Sequence, residues 1–162
     1  MKKFLSLLVL LATLQAQAQL KGFSVGPYAE RAWTTGDLQS KYENGFGAGI
    51  GADIKLPGKL GLTGSMGILR FGGKNIEHQG VNEKVKALMA TPLRVGIKYR
   101  LPIVYLKLES GTVKLNDGNG SALILSPGAG IRIFGLDVQA KYETWIRSNP
   151  YSFYGIRAAY NF

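Results

Sequence analysis

Glu77 and His78 place a carboxylate beside the chain's one imidazole. Such a pair can orient and activate a hydroxyl nucleophile when a serine stands within reach. The segment that carries it, GGKNIEHQGVNEKVK from Gly72 to Lys86, contains no serine, and the candidates Ser40 and Ser121 fall in other loops. A solvated loop histidine accounts for the pair more simply. The chain has no cysteine, no metal-ligand spacing and no helix-opening glycine loop, so neither a metal nor any other cofactor is expected. A larger set of reactive side chains is ionic: Glu30, Asp53, Lys55, Arg94, Lys98, Arg100, Lys107, Glu109, Arg132, Asp137, Lys141, Glu143, Arg147 and Arg157. The basic ones are spread singly through the strands rather than in a run. Ions so arranged share one face of an extended chain and can pair across it; they do not form a nucleic-acid patch.

The elements that must hold them are strands. In GFGAGIGADIKLP, residues 45–57, one face reads Gly45, Gly47, Gly49, Gly51, Asp53, Lys55 and the other Phe46, Ala48, Ile50, Ala52, Ile54, Leu56. The same period of two recurs from Gly22 to Trp33, after Pro57-Gly58-Lys59, and from Met89 to Arg100. It returns in Val104–Glu109, Leu123–Ile133, Leu136–Arg147 and Tyr154–Phe162. Eight strands result, with no helix-period segment after residue 18 and no domain boundary. Connections after the second, fourth and sixth strands are tight turns, and those after the odd strands are longer and polar. Antiparallel strands in chain order therefore put all the turns at one end and all the loops at the other.

The first 18 residues read as a secretory signal peptide. Lys2 and Lys3 precede the apolar run Phe4–Leu14, and Ala16-Gln17-Ala18 has the small-x-small form of a cleavage site. Export through the Sec pathway and a mature chain of residues 19–162 are expected. The formal net charge of +10 falls to +8 on side chains once Lys2 and Lys3 are removed, which suits an anionic membrane surface.

Alternation fits both a soluble ligand-binding barrel and a membrane barrel with the opposite face inward. Four features favour the membrane form. Glycine on the polar face suits a lumen barely wide enough for its own side chains. The apolar faces match a tilted bilayer crossing of about 9–11 residues. Trp33, Tyr99, Tyr154 and Tyr160 lie near strand ends, as interfacial aromatic girdles do. Turns at one rim and loops at the other repeat the asymmetry of such barrels.

The closing strand YGIRAAYNF, residues 154–162, carries a resemblance to a known family. With this strand the mature chain resembles small eight-stranded outer-membrane barrels of the OmpX/OmpA transmembrane type. That resemblance implies an all-β, antiparallel up-and-down transmembrane barrel in the cell outer membrane. It also implies that Tyr160 and Phe162 belong to a signal read by the barrel-assembly machinery. The family includes lipid A acylases and deacylases, so an enzyme built on His78 is one alternative. A narrow anion-preferring pore is another, because inward cations outnumber carboxylates. The expected function is a structural or surface-interaction barrel, not an enzyme, with its lumen plugged by ion pairs. Turn lengths predict Arg132 opposite Asp137 and Glu143 opposite Arg157. Partners are outer-membrane lipids and lipopolysaccharide, whose phosphates Lys41, Lys74, Lys84, Lys86 and Lys114 can meet. The sequence specifies no oligomeric state.

Overall fold

A computed structural model describes residues 22–78, 81–116 and 120–162. The signal-peptide expectation thus lies outside the described residues. The strands are β1 (Phe23–Thr35), β2 (Tyr42–Lys55), β3 (Leu60–Gly73), β4 (Asn75–His78), β5 (Val81–Lys84) and β6 (Leu88–Arg100). They continue as β7 (Val104–Leu115), β8 (Ser121–Ile133), β9 (Leu136–Ile146) and β10 (Tyr151–Tyr160). Eight of them close an antiparallel barrel in which β10 pairs with both β9 and β1. Closure leaves no unpaired edge, which a hydrocarbon environment demands.

Two elements depart from the sequence expectation, both at the loop end. A helical turn, α1 (Gly36–Lys41), occupies the first loop, where no helix was expected. It is too short to show a helical period, but Asp37 in its first turn and Lys41 in its last oppose the helix dipole. Its Leu38 is fully buried. The long polar segment after β3 folds back as the hairpin β4–β5.

The exterior is apolar. Phe46, Ile50, Met66, Leu93, Val95, Leu106 and Ile156 are all exposed. Trp33, Tyr142 and Tyr154 form an aromatic patch towards the loop end, where Trp33 pairs with Tyr154 and Tyr154 with Tyr142. Tyr99 and Tyr160 lie outward near the turn end. From Tyr154 to Tyr160 the strand advances about 20 Å at roughly 3.3 Å per residue, or about 15 Å of height at the usual strand tilt, which fits within a barrel's apolar band. The two-residue turn Phe134-Gly135 has positive φ at both residues (48° and 84°), the turn type that matches strand twist in a hairpin.

The glycine face of β2 makes room for rings. A Cβ on Gly49 would stand 2.6 Å from the Tyr28 hydroxyl, and one on Gly45 would stand 2.6 Å from the Phe71 ring. Gly49→Val is therefore expected to overpack the lumen and destabilise the barrel by about 1–3 kcal/mol. Urea unfolding in lipid vesicles, followed by far-ultraviolet circular dichroism, measures the loss; an unchanged midpoint would refute the tight fit of Gly49 against the Met66 carbonyl and the Tyr28 hydroxyl.

Candidate functional site

The lumen is built in tiers. At mid-height four strands aim five charges at one another: Glu30 from β1, Arg94 from β6, Lys141 and Glu143 from β9, and Arg157 from β10. Arg94 Nη2 donates to Glu143 Oε1 at 2.8 Å, and Lys141 Nζ donates to Glu143 Oε2 at 2.6 Å. Lys141 also lies 2.8 Å from Glu30 Oε1, while Arg157 donates Nε and Nη2 to Glu30 Oε2 at 3.2 and 3.1 Å. Beside this group Lys107 pairs with Glu109 at 3.2 Å. Ser65 Oγ joins the two groups, donating to Glu109 and accepting from Arg157, each at 3.4 Å. All these ions are buried. Burial of charge is tolerated when it is paired, and every ion of the tier has an oppositely charged partner, although Glu30 Oε1, Arg94 Nε and Nη1 and Glu109 Oε2 make no hydrogen bond.

A second tier lies towards the turns. Lys98 Nζ bridges Asp53 at 2.6 Å and Asp137 at 3.2 Å. Tyr105 donates its hydroxyl to Asp137, and Arg132 reaches Asp53 at 3.3 Å and Ser24 Oγ at 3.2 Å. Arg100 is half-buried at the end of β6.

The register corrects one expected pair. Arg132 does face Asp137 across β8–β9, but its ion pair goes to Asp53. Glu143 faces Phe153, and Arg157 faces Gln139. The expectation centred the last loop near Pro150. In the structure Tyr151 is already paired with Trp145, so the loop is short and centred earlier. Arg157 instead meets Glu30, its partner across the β1–β10 seam. Lys55, expected inward, is exposed at the turn-end rim. Arg147 is half-buried, with its guanidinium 4.9 Å from the centre of the Tyr151 ring.

Above the ions lies a tier that the alternation did not reveal. Phe71, Trp145 and Phe153 pack edge to face with ring centres 5.4–5.9 Å apart. Leu38, Leu69, Leu88, Val113 and Ile124 complete the cluster. Trp145 Nε1 donates to Glu143 Oε1 at 2.7 Å, joining the apolar tier to the ionic one. The missed signal is a run of consecutive apolar residues at the loop ends of strands: Leu88-Met89, Trp145-Ile146, Phe153-Tyr154. There both faces are apolar, one towards the lumen and one outward.

The enzyme candidates do not form a site among the described residues. Ser40 lies on α1, where its hydroxyl donates to the Asp37 carbonyl at 2.8 Å, while Ser121 begins β8. The backbones of Glu77 and His78 pair with those of Asn82 and Val81 in the β4–β5 hairpin, but their side chains, like that of Lys84, lie outside the described residues. Tyr160 is outward, and Phe162 packs edge to face on it at 5.0 Å.

No protein-family model and no curated protein matches the chain. Solved structures do. The Ail attachment invasion locus protein of Yersinia pestis, in a phospholipid bilayer nanodisc, aligns with a TM-score of 0.56 at 18% identity, over 87% of this chain and 99% of that one. A de novo designed transmembrane β-barrel gives 0.55 at 18%, over 87% and 96%. The N-terminal β-barrel domain of Pseudomonas aeruginosa OprF gives 0.51 at 13%, over 86% and 97%. At these identities the likeness is one of fold: the chain has the eight-stranded architecture of small outer-membrane barrels.

Proposed function

We propose that this chain is an exported, integral outer-membrane barrel of structural or surface-interaction type, with its loop end facing outward and its lumen closed. The observation that carries the reading is the inverted distribution of side chains. Ions and an aromatic cluster fill the inside, and an apolar band girdled by aromatics covers the outside. Residues 1–18 are read as the signal peptide that delivers it, and Tyr160 with Phe162 as part of the signal for the barrel-assembly machinery. The folded additions α1 and β4–β5 both stand on the loop rim, whereas the opposite rim has only turns. A surface-interaction role favours that asymmetry.

Lipopolysaccharide is the proposed lipid partner. Across β1, β2 and β3 the register sets Arg31, Phe46 and Arg70 in one outward row, two residues from Trp33 towards the membrane. The two arginines thus flank one strand, with backbones about 10 Å apart at the usual strand spacing. Lys41, Lys86 and Lys114 add exposed cations at the same end, and Lys74 reaches the Gln39 carbonyl at 2.7 Å. Hydrogen bonds between ions are worth about 1.5–3 kcal/mol each. Arg31→Gln/Arg70→Gln should lose most of any stabilisation that lipopolysaccharide gives over plain phospholipid in urea unfolding. Equal gains in wild type and variant would remove these arginines from the lipid site.

Orientation is tested with single cysteines. Lys86→Cys should react with an impermeant maleimide on intact cells, and Lys59→Cys only after the outer membrane is opened. Equal labelling would refute the outward loop end. In planar bilayers the purified barrel should give no steady conductance; steady steps would favour the anion-preferring pore. Lipid A mass spectra with and without the protein should agree, and a changed acyl count that depends on His78 would establish the enzyme reading instead.

A further inference from the structure

At the turn end the lumen opens into a mouth of about 520 Å³. Four cations surround it: Lys55, Lys98, Arg100 and Arg132. Among the described side chains two carboxylates, Asp53 and Asp137, pair with them, and both are already engaged by Lys98, Arg132 and the Tyr105 hydroxyl. Lys55 stands on the rim. Among the described residues Arg100 is in no ion pair, whereas each ion of the two tiers is in at least one. Its Nε and Nη2 are buried without a hydrogen-bond partner, as are Nε and Nη1 of Arg94 in the mid-height tier.

Its placement is built into the backbone. The guanidinium lies against Gly61, where any Cβ would collide with Nη2. The Arg100 amide donates to the Lys59 carbonyl at 2.7 Å, which fixes the end of β6 beside the β2–β3 turn. Leu101, Pro102, Ile103 and Phe162 make part of the wall apolar, beside the polar Ser24, Tyr105 and Asn161. An apolar wall facing unbalanced cations lowers the local dielectric and strengthens the pull on an anion.

We propose that this mouth is a binding site for an oxyanion, a phosphate or carboxylate group held by the Arg100 fork and flanked by Arg132 and Lys55. The Arg100 guanidinium lines the mouth with no carboxylate bonded to it among the described residues, and a planar guanidinium matches the geometry of either oxyanion. The mouth is larger than an ion needs, so the group can be carried on a small solute or on the headgroup of a lipid in the adjoining leaflet. The site follows from the mouth itself and stands whichever way the barrel is oriented.

The test is titration of the isotope-labelled, full-length folded barrel in zwitterionic-lipid nanodiscs with inorganic phosphate, at ionic strength held constant with chloride. The Arg100 Nε–H and Gly61 amide resonances should shift and saturate. Arg100→Gln should weaken the apparent affinity by about tenfold or more. Gly61→Ala keeps every charge but displaces the guanidinium, and should weaken it as well. If anionic lipid in the nanodisc shifts the same resonances and competes with phosphate, a lipid headgroup is the natural source. If it does neither, the source is a soluble anion. Shifts that grow without saturation, or that persist unchanged in Arg100→Gln or in Gly61→Ala, would overturn the site.

Discussion

Glu143→Gln is expected to destabilise the folded barrel by about 3–5 kcal/mol, the cost of breaking a buried charge pair on one side. One carboxylate there accepts from three donors: Arg94 at 2.8 Å, Lys141 at 2.6 Å and the Trp145 indole at 2.7 Å. The amide keeps the shape but turns two N–H groups towards cations. Lys141 retains Glu30 at 2.8 Å, whereas Arg94 is left with Glu30 at 3.6 Å. Arg94→Met added to Glu143→Gln should therefore recover part of the loss. A double-mutant cycle read by urea unfolding in vesicles isolates that coupling. The Glu143–Arg157 cycle should show a smaller coupling, since Arg157 is held by Glu30 and Ser65. Coupling near zero for Arg94–Glu143 would mean that water screens the tier, as an open pore requires.

Ile50→Arg is the second large effect, and it concerns the other face. Ile50 is outward and 55% exposed, lies opposite Pro27 and Met66, and sits midway along β2. Arginine at the mid-plane of a barrel exterior costs about 2–4 kcal/mol. The control is its neighbour Gly51, where a new Cβ would meet nothing closer than 3.7 Å. Gly96 would serve badly, because a Cβ there would stand 2.8 Å from the Glu109 Cα. Ile50→Arg should fold into vesicles less completely than Gly51→Ala in a gel-mobility assay. Equal folding would refute a bilayer around this face.

The comparison with the sequence turns on how far alternation can see. Period two displays which residues share a face, so the eight barrel strands and most of the inward set from Glu30 to Arg157 were legible, whereas Lys55 lies on the rim and the loop before β10 is as short as the turn after β2. Partner choice was not. A face does not say which strand lies across the lumen, and Arg94 meets Glu143 from a strand that is not its neighbour. Register failed where a short loop was centred too late, and that error moved Arg157 from Glu143 to Glu30. Alternation also vanishes where both faces are apolar, which hid Phe71, Trp145 and Phe153. A single helical turn such as α1 is shorter than the pattern that reveals helices. The unbalanced guanidinium of Arg100 could not be separated from its paired neighbours by residue type alone.

The seam between β1 and β10 sets the order of events in time. Glu30 is among the first inward charges to be made and Arg157 among the last, yet they bond across that seam. Until β10 arrives, β1 exposes an unpaired edge and the mid-height carboxylates lack one cation. No partial barrel is then a resting state in hydrocarbon, and closure must be nearly all-or-none. Such a late, long-range contact makes for slow folding. It also makes chain length a checkpoint: a polypeptide halted before Tyr151 has nothing with which to latch, and it stays available for disposal rather than lodging half-made in a membrane.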